Sequence, residues 1–258
     1  MSTLNDEYYQ SIRSHWMSQM SHFLKSTILL AVIFISLPIS ADEWSVTNIS
    51  LAHGDDHKLD DESQYKLTID HARSWAYGDV FLFMDIFNPA TGDSSEYGEI
   101  HPRFSLSKIS GKSFQNNVIR DASIATEVEF GEKHRAYLYG LGIDLNTKDF
   151  NYFNINFYVR DNKRLSGKTW QITPYWQLPF SIGKSKWSFE GFADIAGSES
   201  SSEHNILFQP QLLLDIGHLV GKPGQLQAGI EHVYWRNKFG VKGVTESMPQ
   251  LMIKWTFK

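Results

Sequence analysis

The feature that most constrains this chain is an alternation of apolar and polar residues with a period of two. In residues 153–160 one face reads Phe, Ile, Phe, Val, and the other reads Asn, Asn, Tyr, Arg. Residues 170–180 and 250–257 alternate in the same way. Because successive side chains of a β-strand point to opposite faces, the pattern predicts strands and not helices.

Turn signals divide the chain after residue 42 into twelve predicted strands of about ten residues. These strands lie near 44–52, 64–72, 77–88, 97–110, 121–130, 135–146, 150–161, 167–180, 185–196, 204–217, 224–236 and 248–258. Tight connections such as 73–76 alternate with longer polar ones such as 53–62, with 111–120 as an exception because it is long where a short turn is expected. Short turns on one rim and long loops on the other are typical of outer-membrane barrels.

The predicted fold class is therefore all-β, a twelve-stranded antiparallel transmembrane β-barrel of the outer membrane. A secreted soluble sandwich or lipocalin-like barrel also alternates and is the alternative. Against it, the apolar face is rich in aromatic residues and leucine while the other face carries charged and amide side chains, the reverse of a soluble barrel. Aromatic residues also collect near strand ends, as interfacial girdles do, at Tyr137, Trp170, Tyr234, Trp235, Trp255 and Phe257.

The region before the strands predicts export. Residues 26–39 form a short apolar run, preceded by Lys25 and followed by small residues up to Ala41. This resembles a secretory signal peptide cleaved after Ala41, and an uncleaved membrane anchor is the alternative. The polar segment 1–19 is unusual before such a signal. The predicted domains are 1–41, an N-terminal extension and signal peptide whose true start is Met1, Met17 or Met20, and 42–258, the barrel.

Composition excludes several classes of function. The chain has 24 Lys and Arg residues against 29 Asp and Glu residues, so it offers no broad basic surface for a nucleic acid polymer. It has no cysteine, which excludes thiolate metal sites and thiol nucleophiles. His71 and His232 point outward, but no serine constellation accompanies them as a barrel lipase would need, so we predict no enzyme and no catalytic residue.

Short motifs in one order across the predicted barrel resemble the nucleoside-specific channel family Tsx and the related outer-membrane protein OmpK. They include Trp75-Ala76-Tyr77-Gly78-Asp79, Phe81-Leu82-Phe83-Met84-Asp85, Pro102-Arg103-Phe104-Ser105-Leu106, Gly140-Leu141-Gly142-Ile143-Asp144, Gln209-Pro210-Gln211 and Asn237-Lys238-Phe239-Gly240. The resemblance runs from about residue 44 to the C-terminus and is closer to the OmpK branch. It departs at Lys258, since such proteins typically end in an aromatic residue.

This resemblance implies a twelve-stranded outer-membrane barrel with a narrow lumen that admits nucleosides by facilitated diffusion. Relatives also serve as phage receptors. We therefore expect an exported Gram-negative outer-membrane channel for nucleosides or similar small polar solutes, in contact with outer-membrane lipid and lipopolysaccharide. The alternative is a surface receptor barrel that binds phage or host and transports little.

Parity assigns the faces of the predicted strand 77–88. If its aliphatic residues face lipid, then Asp79, Phe81, Phe83 and Asp85 face the lumen. Aromatic rings flanked by carboxylates suggest a slot in which a flat base stacks while the acids accept ribose hydroxyl hydrogen bonds. The alternative is that these rings fill space under a folded loop.

The next predicted strand places Glu99, His101, Arg103, Ser105 and Ser107 inward. Glu99 and Arg103 are too far apart along one strand to pair, so each is expected to meet another strand, with Asp85 or Asp144 as partners of Arg103. Such a ladder either neutralises a narrow lumen or contacts a ligand. The predicted solute-binding residues are Asp79, Phe81, Phe83, Asp85, Glu99, Arg103, Asp144, Asn156, Arg160, Tyr175, Glu190 and Asp194.

The segment 53–62 is rich in His, Asp and Glu and has some features of a metal site. Its acids lack the alternate positions and the central glycine of a calcium loop. We therefore predict a solvated acidic surface loop, and we predict neither a metal nor another cofactor for this protein.

Overall fold

The structure, a computed structural model, describes residues 44–90, 94–132 and 134–257. The predicted signal peptide and Lys258 lie outside the described residues. The strands are β1 Ser45–Asp55, β2 Ser63–Trp75, β3 Gly78–Phe87, β4 Ser95–Ser105, β5 Ile119–Gly131, β6 His134–Leu145, β7 Tyr152–Asn162, β8 Thr169–Ile182, β9 Ser185–Ala196, β10 Asn205–Asp215, β11 Leu226–Arg236 and β12 Thr245–Phe257.

These strands form one closed antiparallel barrel. Each strand pairs with its neighbours in sequence, and β1 also pairs with β12, with Leu51 opposite Ile253. The predicted twelve-stranded all-β fold is confirmed. Closure matters because it leaves no strand edge with unpaired backbone groups.

The two faces of the sheet differ in polarity. In β7, for example, Phe157 and Val159 are exposed on the outer face, whereas Asn154 and Asn156 are buried on the inner face. The same parity continues around the barrel. Large exposed apolar side chains on the outer face include Ile49, Leu51, Tyr65, Ile69, Ile124, Phe157, Val159, Trp170, Phe189, Phe208, Leu212, Ile230, Leu251, Ile253 and Phe257.

One of the aromatic residues assigned to the outer girdle is on the wrong face. Trp235 lies opposite Glu246 in the β11–β12 ladder, on the inner side. Its ring centroid is 5.4 Å from the Lys238 ammonium, which supplies a cation–π contact. The girdle prediction therefore fails at Trp235, because proximity to a strand end gives height but not the face.

The predicted strand 97–110 is too long. It ends at Ser105, and Leu106–Ser110 forms a short helix, α1. The Ser105 hydroxyl caps this helix by accepting from the Lys108 backbone N–H at 3.0 Å, and Gly111 ends it in the left-handed conformation, with φ of 67°. Ser107, predicted to face the lumen, lies in α1 and donates its hydroxyl to Asp121 at 2.6 Å.

Within residues 44–90, 94–132 and 134–257, helices contribute little to the architecture. Besides α1, the chain has 3₁₀ turns at Gly217–Val220 and Lys238–Gly240. Among the residues that the structure describes, no helix is long and apolar enough to cross a membrane.

The two rims carry different loops from those predicted. We call the rim with the first residue of β1 and the last of β12 the terminal rim, and the opposite rim the distal rim. On the distal rim β5 and β6 are joined through positions 132–133 alone, and on the terminal rim the connections 106–118 and 216–225 are long. The expected division into a short-turn rim and a long-loop rim is therefore only partly correct.

The first distal loop, 56–62, is fastened to the last hairpin. The buried Lys238 ammonium donates to Glu246 at 2.7 Å and to Asp60 at 2.6 Å, and the Lys58 backbone N–H also donates to Glu246. We call Asp60, Lys238 and Glu246 the distal latch. Asp56 is exposed as predicted, but His57 is buried, so the prediction of a fully solvated loop is wrong at its centre.

Replacing Lys238 by Met should release this loop, because Glu246 would remain buried without its cation. We expect trypsin to cleave after Lys58 several-fold faster in the folded Lys238→Met barrel than in the wild type, as followed by mass spectrometry. Lys242→Met is the matched control, since Lys242 is exposed and lies 3.7 Å from Glu203. Equal cleavage of all three proteins would mean that the latch does not hold the loop.

Candidate lumen site

The inner face of the barrel is lined with polar and charged side chains. All twelve residues predicted to bind solute project from this face, as the strand registers and their contacts with one another establish. These residues are Asp79, Phe81, Phe83, Asp85, Glu99, Arg103, Asp144, Asn156, Arg160, Tyr175, Glu190 and Asp194. Their position in the interior follows from the geometry, and their role in solute binding stays a prediction.

Arg103 on β4 is the hub of the interior. Its guanidinium donates to Asp144 on β6 and to the Tyr175 hydroxyl on β8, and its Nε lies 3.3 Å from the Ser123 hydroxyl on β5. Asp79 on β3 is 3.9 Å away. One side chain thus links strands from nearly half of the barrel.

Of the two partners predicted for Arg103, Asp144 is confirmed and Asp85 is wrong. The β3–β4 register places Asp79 opposite Arg103, whereas Asp85 lies opposite Tyr97. That offset separates Asp85 from Arg103 by about 20 Å along the strand, at about 3.3 Å per residue. Asp85 instead accepts a hydrogen bond from Thr68.

A glycine makes room for the Arg103 guanidinium. A Cβ atom at Gly142 would lie 2.4 Å from the Ser123 hydroxyl, 2.7 Å from the Asn156 side-chain oxygen and 3.3 Å from Arg103 Nε. The absence of a side chain therefore lets these polar groups meet over the β6 backbone. Asn156, one of the predicted residues, donates to the Tyr158 hydroxyl at 2.9 Å beside this point.

Other ion pairs also cross the interior between strands that are not neighbours. Arg160 on β7 donates through its two terminal nitrogens, Nη1 and Nη2, to the two carboxylate oxygens of Glu129 on β5. Lys254 on β12 pairs with Glu190 on β9, and Lys66 on β2 pairs with Glu231 on β11 at 2.6 Å. We call four such ion pairs the cross-lumen pairs: Arg103–Asp144, Arg160–Glu129, Lys254–Glu190 and Lys66–Glu231. They narrow the interior, and each brings two buried charges into contact.

Four rings form an aromatic row along β3 and β4: Phe81, Phe83, Tyr97 and His101. The ring centroids of Phe81 and Phe83 are 5.5 Å and 6.4 Å from that of His101, and Phe83 is 6.0 Å from Tyr97. Phe81 is 38% exposed although it projects inward. An apolar ring therefore faces open space in the interior.

A group of acids surrounds His101. Glu99 Oε2 lies 2.7 Å from His101 Nε2, and Glu127 Oε2 lies 3.2 Å from His101 Nδ1. The Tyr97 hydroxyl donates to the other oxygen of Glu99. We call Glu99, Glu127 and His101, together with Asp194, an inward-facing acid on β9, the acid cluster.

Part of this cluster has the donors of a cation site. Glu99, His101 and Glu127 each offer a ligand atom within 4.8 Å of the others, and carboxylate oxygens with imidazole nitrogen are donors that divalent cations accept. In this conformation, however, the imidazole lies between the two carboxylates and its nitrogens point at different acids. The arrangement is suited to one shared positive charge.

The sequence predictions missed Glu127 and Glu129. The signal was present, because Ser123, Ala125, Glu127 and Glu129 alternate within the predicted strand 121–130 and share a face. Extending the parity argument to this strand would have placed both acids in the lumen opposite β4, where Glu129 faces Glu99.

Replacing Arg103 by Met should destabilise the barrel, because Asp144 would lose its cation in the interior. Removing one partner of a buried ion pair costs about 3–5 kcal/mol, and we expect a loss of that size in urea unfolding of the refolded protein. Adding Asp144→Asn should recover part of it. Arg236→Met, at an exposed position of β11, is the control. Equal unfolding midpoints for Arg103→Met and Arg236→Met would contradict a structural role for the hub.

Solved structures of other proteins match this chain. The KdgM porin matches with 12% sequence identity and a TM-score of 0.49, over 82% of this chain and 99% of that chain. The KdgM porin in complex with disordered oligogalacturonate matches with 12% identity and a TM-score of 0.48, over the same shares. The translocator domain of the autotransporter NalP from Neisseria meningitidis matches with 8% identity and a TM-score of 0.33, over 93% of this chain and 97% of that chain.

The comparison with curated proteins gives no match. A family model matches residues 49–257, which is nearly the whole barrel, and its description is "Domain of unknown function (DUF5020)". The chain therefore belongs to the DUF5020 family.

Proposed function

We propose that this protein is an outer-membrane channel through which nucleosides or similar small polar solutes diffuse. The observation that carries the proposal is the inverted polarity of a closed barrel: apolar side chains cover the outer face, and charged side chains line the inner face. A soluble barrel would hold its charges on the outside, in water. Here the apolar outer face suits lipid, and closure satisfies the backbone groups that lipid cannot.

The interior is suited to solutes and not to an apolar ligand. Many of its charges are paired and several acids are not, and all of them need water or polar solute around them, since a row of buried charges in a dry core is costly. The cross-lumen pairs limit the passage to small molecules. Weak contacts are sufficient, because a channel that holds its solute tightly does not conduct.

The aromatic row supports the choice of nucleosides. Base stacking on an aromatic ring contributes about 1–3 kcal/mol in single-stranded nucleic acid complexes, and the exposed face of Phe81 offers such a surface. Carboxylates on the same strands, such as Asp79 and Glu99, accept hydrogen bonds from ribose hydroxyls. A base stacked on Phe81 would therefore have a carboxylate about 7 Å away along the strands on either side, Asp79 on one side and Glu99 on the other.

The test is single-channel recording from the chain 42–258 in a planar bilayer, with adenosine, thymidine and a sugar added in turn. Saturable block by the nucleosides and not by the sugar would support the proposal. Conductance without selective block would reduce it to a general small-solute pore. No conductance from a folded barrel would contradict it and would favour the surface-receptor alternative.

Replacing Phe81 and Phe83 together by Ala should weaken nucleoside block while the barrel still folds, because the stacking surface is lost. Phe189→Ala with Phe208→Ala is the matched control, since it removes two rings from the outer face. Block constants from bilayer recordings compare the two pairs. If the inner pair changes block no more than the outer pair, the rings do not bind the solute.

The lipid-facing assignment makes a separate prediction. Leu251 lies at the middle of β12 and is largely exposed on the outer face. Leu251→Arg should destabilise the inserted barrel by about 2–4 kcal/mol, the cost of arginine at the bilayer midplane, as measured by unfolding from liposomes. Leu219→Arg, at an equally exposed position in the rim turn Gly217–Val220, should cost much less. Equal costs would contradict the membrane assignment.

A further inference from the structure

We propose that the lumen selects positively charged solutes, and that the class it favours is a small flat aromatic ring bearing an ammonium group. This inference rests on the proposed channel function and, among small polar solutes, favours cationic aromatic ones over the uncharged nucleosides. It is carried by two features that lie side by side in the interior: the acid cluster, which has too little positive charge, and the exposed face of Phe81.

Four other interior acids each have a basic partner, whereas Asp70 and Asp85 accept hydrogen bonds from the neutral side chains of Asn48 and Thr68. The cross-lumen pairs give Asp144, Glu129, Glu190 and Glu231 each a lysine or arginine partner. These pairs contribute little net field, because the two charges of a close pair largely cancel at a distance. A permeating solute therefore meets a nearly neutral wall along these parts of the barrel.

The acid cluster does not balance. Glu99 and Glu127 share the single imidazole of His101, one on each nitrogen. Asp194 accepts only from neutral groups, the Thr173 hydroxyl at 2.6 Å and the Gln171 amide at 3.0 Å. The three acids Glu99, Glu127 and Asp194 thus have one imidazole among them and no lysine or arginine partner.

No lysine or arginine among the described residues compensates for this excess at contact distance. Across residues 44–90, 94–132 and 134–257, none forms an ion pair with Glu99, Glu127 or Asp194. Gln171 donates to Asp194 and accepts from Arg160, but the Arg160 guanidinium itself is held by Glu129 and Gln171. This guanidinium is thus already committed to another acid.

Glu127 is the acid of this cluster that most clearly lacks a hydrogen-bond donor. It is 2% exposed, and its Oε2 receives no hydrogen bond, although that atom faces His101. A buried carboxylate oxygen without a donor is costly, and a cationic group that enters the interior would supply one. An ammonium group matches this need because it brings both the charge and the N–H donors.

The aromatic row indicates that the favoured solute carries a flat ring as well as the ammonium group. Phe81 lies 5.5 Å from His101 between ring centroids, and its exposed face is adjacent to the acid cluster. A flat ring that stacks there would bring an attached ammonium group toward the carboxylates, and the ring faces themselves attract cations. An anion of the same size would stack equally well but would be repelled by Glu99, Glu127 and Asp194.

The first test compares three solutes of nearly equal size in bilayer recordings of the chain 42–258: benzylammonium, benzyl alcohol and benzoate. We expect benzylammonium to block conductance at a roughly tenfold lower concentration than benzyl alcohol, as one added charge contact would give, and benzoate not to block. The reversal potential in a potassium chloride gradient should also have the sign of cation preference. Equal block by all three solutes, or anion preference, in a conducting channel would overturn this inference and leave the channel proposal intact.

The second test removes the charge. Glu127→Gln with Asp194→Asn should abolish the preference for benzylammonium over benzyl alcohol, whereas Asp55→Asn, at an exposed position near the distal rim, should not change it. Folding is checked by heat-modifiable migration on gels, and Glu127→Gln alone serves if the double variant does not fold. A preference that persists in a folded variant would contradict the role of the acid cluster. No conductance from a folded wild-type barrel would overturn the channel proposal itself.

Discussion

Closure of the sheet is the constraint on which the rest of this structure depends. Because β1 pairs with β12, every strand has a neighbour on both sides, and the backbone hydrogen bonds are satisfied within the barrel. Closure also separates two environments, one outside and one inside. The alternation of side chains along each strand then assigns each residue to one of these two environments. The polarity of a residue in the sequence therefore predicts the face on which it lies.

The inside environment is organised by charge and not by apolar packing. Arg103 reaches strands β5, β6 and β8, and the other cross-lumen pairs join strands that do not touch through the backbone. Buried ion pairs add little net stability, since desolvation offsets attraction, but they favour one arrangement over others. In this barrel they cross and narrow the interior at defined points, because each long basic side chain is bound to an acid on another strand.

The sequence predicted on which face of the sheet a residue lies better than it predicted which residue lies opposite on the neighbouring strand. Parity is insensitive to errors of a few residues in strand ends, so Asp79, Phe81 and Arg103 were placed inward correctly. Pairing across strands needs the register, which parity does not contain, and Asp85 was therefore matched wrongly with Arg103. The register depends on the turns and on the whole set of ladders, none of which a single strand reveals.

Local signals explain the remaining errors. The alternation continues through Phe104 and Leu106, so a longer strand was predicted where Ser105 and Gly111, a capping serine and a left-handed glycine, bound a short helix. The strand 97–110 was predicted too long because the alternation was followed too far, whereas Glu127 was missed because the alternation was not applied to its strand at all. The loop at 56–62 could not be predicted from its own composition, since its buried part depends on Lys238, which lies far away in the sequence.

The position of the uncompensated charge is what makes the interior more than a neutral tube. If all acids were paired, a solute would be selected by size and hydrogen bonds alone. Instead Glu99, Glu127 and Asp194 have one imidazole and no lysine or arginine among them, and that imidazole, His101, lies 5.5 Å from the Phe81 ring between centroids. Because water screens an unpaired charge less within a narrow passage than at an open surface, this excess acts on a solute mainly where its ring also finds Phe81. Charge and shape are then sensed together by residues from four different strands, β3, β4, β5 and β9.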